Sequence, residues 1–156
     1  MFGTASEFCR YLWCHYMSEY SVCQNEFSTV KKRELYALAD RLKEQGSEVI
    51  DCCVDFVVAE SKGNAHGRVR ALMSRRLKHC ALSCANQTKL LGCILQRLQS
   101  GEFSEQFKDQ LRLAMHLDLK QTSAACVRAA SSEFAHVRRY AAWGDIAIHH
   151  RMTPNA

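Results

Sequence analysis

The chain of 156 residues carries a formal net charge of +5, with 47% hydrophobic and 24% charged residues. That length suits one domain over residues 1–156 with a substantial core, and the composition excludes the apolar-poor, highly charged balance of a disordered chain. The longest run free of Asp, Glu, Lys and Arg, His79 to Thr88, is ten residues, well short of the ~20 needed to cross a bilayer, so a soluble protein with no membrane association is expected.

The first helix is expected from about Ser6 to Gln24, with Phe8, Tyr11, Leu12, Tyr16 and Tyr20 as an aromatic face. Over the first 30 residues Arg10 is the one base against Glu7, Glu19 and Glu26, which is unlike the basic n-region of an export signal. The cysteine count is nine, an odd number, and several fall on apolar faces where Cys acts as a small hydrophobe. Together these predict a reduced, cytoplasmic protein.

Leu35, Leu38, Ala39 and Leu42 then follow the i, i+3, i+4, i+7 rule of a second helix, capped by Ser28 or Thr29 and stopped by Gly46. Ser47 is expected to cap a third, the most buried, in which Val49, Ile50, Cys53, Val54, Phe56 and Val57 surround Glu48, Asp51 and Asp55. Its β-branched content also allows a strand. Gly63, Asn64 and Gly67 mark a turn before a helix reaching Cys84, with an apolar face of Val69, Leu72, Met73, Leu77, Cys80 and Cys84. A helix from about Gln87 to Gln99 uses Leu90, Leu91, Ile94, Leu95 and Leu98 and ends at Ser100-Gly101, a C-cap signal. Ser104 opens the next, with Phe107, Leu111 and Ala114 inward. Asp118 and Gln121 form a capping box for a helix of small residues, among them Ala125, Cys126 and Ala129. The last helix runs from about Glu133 to His150, where Gly144 shares a row with Val137, Ala141 and Ile148 and so predicts close contact with a neighbour. The only proline is Pro154, and residues 151–156 read as a disordered tail. The fold class is therefore all-α, seven or eight short helices in one compact domain.

Charge is segregated along this series. Glu48, Asp51, Asp55 and Glu60 stand in a stretch without bases, whereas Ser61 to Gly101 holds Lys62, Arg68, Arg70, Arg75, Arg76, Lys78, Lys89 and Arg97 and no acid. At ~100° per residue, Arg68, Arg75, Lys78 and His79 gather on one side, assigned opposite Leu72, Met73, Leu77 and Cys80. With Lys89 on the next helix they form a basic face suited to an acidic protein partner or a nucleic-acid backbone. The alternative is a solvated face neutralised within the fold by the acidic helix. Aromatic residues, which stack on single strands, are missing from this stretch.

On the last helix, His136, Arg139, Tyr140 and Trp143 fall at i, i+3, i+4 and i+7. Trp, Tyr and Arg are the residues of interface hot spots, so this is a second patch, for a homodimer or another partner; the alternative is a half-buried face packed on the aromatic first helix. Cys80 and Cys84 share a face with His79 adjacent, yet the spacing is not that of a zinc site. Glu133 and His136 make one Glu-x-x-His, the half-motif of di-iron bundles, without a second copy. Asp145 and His149 fit an ion pair better than an acid and base dyad. With no G-x-S-x-G, P-loop or G-x-G-x-x-G, no catalytic residue, metal or cofactor is expected.

The run Phe134 to Gly144, with Val137, Arg138, Ala141 and Ala142 at the matching positions, resembles the second helix of a HEAT-like repeat; Val69-Arg70-Ala71 and Val127-Arg128-Ala129 echo its dipeptide. The resemblance spans Leu119 to His150 and implies a helical scaffold that binds proteins or nucleic acids. An orthogonal bundle or an irregular HEAT-like stack fits the pattern. The function expected is a non-catalytic binding protein using Arg68, Arg75, Lys78 and Lys89. The rival is a small α-helical enzyme or ligand-binding protein with a Cys- and aromatic-lined apolar pocket. A pocket of several hundred cubic ångströms with converging polar groups would favour that rival, and a flat basic face the binding module.

Overall fold

The computed structural model describes residues 26–59, 61–63, 65–104 and 106–153. The expected first helix, Glu60, Asn64 and Pro154 lie outside them. Within the described residues there are seven α-helices and no strand: α1 Lys32–Arg41, α2 Ser47–Val58, α3 His66–Leu77, α4 Cys84–Ser100, α5 Phe107–Leu117, α6 Leu119–Ala129 and α7 Ala135–Met152. The strand alternative for α2 is thereby decided in favour of helix.

Several helix ends follow local chemistry that differs from the expected punctuation. α1 starts after Lys31, whose N–H is accepted by Glu34 Oε2 at 3.0 Å, and a short 3-10 turn, Leu42–Glu44, carries the chain to Gln45 in the left-handed region at φ 58°. Gly46 is therefore no stop; it precedes α2, so Ser47 lies inside the first turn rather than capping it. α3 begins at His66, after Ala65 at φ 66°. Gly67 thus sits inside the helix, where a Cβ would stand 2.9 Å from Gln106 Oε1 and 3.2 Å from Ser104 Oγ. It lets the start of α3 approach the loop before α5. The same helix stops at Leu77, not Cys84, because Ser83 Oγ accepts Asn86 N–H at 3.1 Å and opens α4. Gly101, at φ 76°, ends α4 as expected. At the far end α7 continues through Arg151 to Met152, within the stretch read as a tail.

One hydrophobic cluster runs through all seven helices, with Phe56, Phe107, Met73, Leu90, Ile94 and Leu111 fully buried. Burying each such side chain contributes roughly 1.5–3 kcal/mol. α2 buries Val49, Ile50, Cys52, Cys53, Val54, Phe56 and Val57, but α5 matches it, burying Phe107, Asp109, Gln110, Leu111, Leu113, Ala114 and Met115. α5 packs against α3, α4, α6 and α7 and shares the centre with α2. α6 and α7 meet along small residues: Gly144 is buried, and a Cβ there would be 2.7 Å from Cys126 Sγ. The close contact expected at Gly144 is present. α5 and α6 join through Asp118 alone, whose N–H donates to Ala114 O and whose C=O accepts from Thr122 N–H. Its carboxylate accepts Gln121 N–H at 2.8 Å and the Gln121 side-chain amide at 2.8 Å, an N-cap without the reciprocal half of the expected capping box because the Asp118 N–H is taken by Ala114 O, and those hydrogen bonds hold it below the usual carboxylate range.

Candidate functional site

Most of the eight bases between Ser61 and Gly101 are engaged inside the fold. The C-terminus of α2 lacks a capping side chain of its own, and its carbonyls form the negative end of the helix dipole. Arg97 of α4 supplies the donors: Val57 O at 2.6 Å, Val58 O at 3.0 Å and Ala59 O at 3.1 Å, with Gln110 Oε1 of α5 at 2.8 Å. Arg70 of α3 joins it, bonding Ala59 O, Ser61 O and Ser61 Oγ and lying 5.2 Å above the Phe56 ring. Burial first, then the Arg97 charge, lowers Arg70 to about 10. Arg76 pairs with Asp40 of α1 at 2.8 Å. Lys89 pairs with Asp55, and Asn86 donates to Asp51 at 2.7 Å, so α4 meets the acidic side of α2. Internal neutralisation by the acidic helix therefore accounts for Lys89. Lys62, Arg68 and Lys78 make no ion pair among the described residues.

Arg68 and Arg75 come together on a cleft of about 350 Å³. Its floor is the stripe Arg68, Ala71, Leu72, Arg75 of α3, and its walls are Tyr36 of α1 and Gln106 and Asp109 at the start of α5. Leu72 is half-buried beside the two arginines rather than opposite them. The helical angles place it there: four residues on from Arg68 is only ~40° of rotation. Lys78 and Lys89 are not part of this lining; Lys78 follows the end of α3, and Lys89 stands over α2.

Asp109 holds one wall in place. Its carboxylate lies 3.4 Å from Arg75 Nη1 and 3.1 Å from Arg112 Nη1, and its side chain is 13% exposed against 55% for Arg75. Arg75 thus spends one nitrogen on Asp109 and turns the rest of its planar donor fork to solvent. With Gln106 beside Asp109, the cleft offers anion-binding groups on its floor and hydrogen-bonding groups on one wall. Leu72, half-buried, supplies apolar contact between the two arginines, with Ala71 buried beside it. Tyr36, Leu72, Gln106 and Asp109 were not foreseen as site residues. Leu72 was within reach of helical geometry, whereas nothing local to Asp109 marks it as facing α3.

The second patch is divided between packing and surface. Tyr140 is buried at 6% exposure, with its ring 4.9 Å from Phe103 and 5.9 Å from Phe107. His136 Nε2 is 2.9 Å from Gly101 O, and its ring meets Phe103 edge-on at 5.3 Å. These two residues pack on the α4–α5 loop; the contact expected with the first helix lies outside the described residues. Trp143 is half-buried, with Lys108 Nζ at 5.4 Å and Arg112 Cζ at 5.1 Å from its ring, and Arg139 is exposed, 5.8 Å from the Tyr140 ring.

Cys80 and Cys84 do not share a helix face, because Cys80 lies in the turn after α3 and Cys84 is the first residue of α4. No group of three or more metal-ligating side chains occurs among the described residues. Cys53, Cys80, Cys84 and Cys126 are free thiols. Burial pushes Cys53 up to about 12 and Cys126 up to about 11, which makes both poor nucleophiles. Asp145 and His149 form an exposed pair at 3.6 Å. Among the described residues no helix is long and apolar enough to cross a membrane. No known protein family, curated protein or solved structure matches the chain.

Proposed function

We propose that this chain is a non-catalytic binding module that holds an acidic segment of another protein across α3, with Arg68 and Arg75 as the anion contacts. The observation that carries this reading is the cleft itself, two guanidinium groups separated by an Ala71–Leu72 floor. Such a floor suits a segment that alternates acidic and apolar side chains. Lys78, outside the cleft and without an ion pair among the described residues, adds to the field that steers an acidic partner, whereas Lys89 is neutralised by Asp55.

A nucleic-acid backbone fits less well. A strong phosphate-binding protein neutralises roughly 6–10 phosphates, whereas Arg70, Arg76, Lys89 and Arg97 are already bonded within the fold. The aromatic ring nearest this surface, Tyr36, stands alone on the cleft wall. A small carboxylate or phosphate compound is the second reading, favoured by a volume within the ~300–1,000 Å³ of small-ligand sites. This cleft has one aromatic residue and no cysteine in its lining, so it is not the Cys- and aromatic-lined apolar pocket of the sequence-based rival. Both arginines are also exposed, unlike residues that enclose a small ligand.

The test is fluorescence anisotropy with a labelled Glu/Leu-rich peptide and with mixed-sequence duplex DNA, each over a salt series. Peptide binding that weakens with salt and is lost in Arg68→Glu is expected. Peptide binding absent at low salt, or indifferent to Arg68→Glu, overturns the reading. DNA binding that exceeds peptide binding and falls with that substitution would transfer the same face to nucleic acid.

A further inference from the structure

The stripe Arg68, Ala71, Leu72, Arg75 occupies positions i, i+3, i+4 and i+7 of α3, base, apolar, apolar, base. The backbone positions of its two arginines stand roughly 10.5 Å apart along the axis at the helical rise. A partner that satisfies both arginines while covering Leu72 must present two acids at that separation, with apolar side chains between them, all on one face. An extended strand repeats its same-face side chains about every 6.7 Å and then about every 13 Å, so it misses the spacing in either register. A helix matches it, because residues seven apart share a face at the same ~10.5 Å.

Resting on the reading above, we infer that the partner segment is an amphipathic α-helix carrying acid-x-x-apolar-apolar-x-x-acid, laid along α3 between α1 and the start of α5. The walls favour this occupant. Tyr36 on one side and Gln106 with Asp109 on the other leave α3 exposed as the floor of a trough, the geometry of helix-in-groove recognition. Asp109 adds selectivity: it is clamped by Arg75 and Arg112, so an acid displaced toward α5 meets a carboxylate, whereas one over Arg75 meets its outward donors. The stripe reads the same in both directions, and the partner helix can therefore run parallel or antiparallel to α3.

Three labelled peptides of identical composition and about 15 residues, long enough for measurable helicity, decide the matter. The matched peptide has Glu at i and i+7 around Leu at i+3 and i+4. The spacing control moves one Glu to i+5, off the face, and the third carries its single Pro at the centre instead of the N-terminus. The matched peptide is expected to bind about tenfold more tightly than either control, with that advantage lost in Arg68→Glu. A matched peptide with one Glu replaced by Lys should then bind Arg68→Glu more tightly than it binds the wild type. Arg68 is suited to this reversal because it makes no ion pair among the described residues. Equal binding of the matched and spacing-control peptides, or of the matched and broken-helix peptides, overturns the helical register while leaving the acidic-segment reading intact. Failure of all three to bind overturns both.

Discussion

Replacing Arg97 by Met removes a guanidinium that closes the C-terminus of α2 and keeps much of the apolar stem. Three carbonyls and the Gln110 amide oxygen lose a donor, but Ala59 O retains Arg70. Val58 O keeps only the weak Cys93 thiol donor at 3.7 Å, Val57 O and Gln110 Oε1 lose theirs, and Gln110 is 4% exposed, so water cannot readily replace the guanidinium there. An unsatisfied buried acceptor costs ~1–3 kcal/mol. Removing the positive neighbour relieves Arg70 and offsets part of the loss, leaving an expected destabilisation of about 3–5 kcal/mol. In urea unfolding, at a slope of roughly 2 kcal/mol/M, the midpoint should fall by about 2 M. Arg97→Lys, a point donor without the fork, should lose about half as much. Lys89→Met is the internal control: its pair with Asp55 is half exposed on both sides, and such pairs contribute ~0–1 kcal/mol. An Arg97→Met midpoint as close to the wild type as that of Lys89→Met would refute the capping role.

Gly144→Ala should cost about 1–2 kcal/mol, the clash with Cys126 Sγ outweighing the ~1 kcal/mol gain in helix propensity; combining it with Cys126→Ala should recover about 1 kcal/mol in a double-mutant cycle, and strictly additive losses would show that the seam yields elsewhere. Alkylation under native conditions, followed by mass spectrometry, should label exposed Cys84 well before Cys53 and Cys126, whose thiols burial raises to about 12 and about 11; early labelling of Cys53 would mean that α2 opens readily. His66 is buried against Phe56, with Nδ1 2.9 Å from Ser61 Oγ, and burial, then the Arg70 charge, lowers its pKa. The unfolded chain therefore binds the proton more readily, so its stabilising effect is complete above about pH 6.5 and is lost as pH falls through the lowered folded value. Denaturation midpoints from about pH 7.5 to about pH 5.5 should fall in the wild type and flatten in His66→Phe; parallel profiles would exclude His66 as the source.

The fold was legible where a residue acts on its own neighbours. Gly101 supplies the left-handed C-cap and Asp118 the N-cap, and both are set within about one turn of the residue itself. The row of Val137, Ala141, Gly144 and Ile148 was legible for a similar reason, since a helical period survives any arrangement of neighbours. What was not legible depends on distant partners. Asp109 and Gln110 are polar residues that no local pattern marks for burial, yet both are buried, where Arg75, Arg112 and Arg97 reach them. Cys80 and Cys84 continued the apolar spacing of α3, and only the Ser83 cap on α4 separates them. Of the basic face, Arg68 and Arg75 line one cleft because they project from one helix, while the destination of Lys89 was fixed by Asp55, 34 residues away.

The single-residue corner at Asp118 governs where this chain tolerates changes of length. Its N–H belongs to the ladder of α5 and its C=O to that of α6, so no slack separates the helix bearing Asp109 from the helix bearing Cys126. An added residue would have to join one helix and turn its buried stripe by ~100°, taking either Asp109 from the arginines or Cys126 from Gly144. Between α6 and α7, Ser131 to Phe134 are mostly exposed and no residue among them serves both helical ladders, although Arg138 donates to Ser132 O and Glu133 O. Insertions, tags or a circularly permuted terminus belong there, and the corner at Asp118 should keep its length unchanged wherever the fold is inherited.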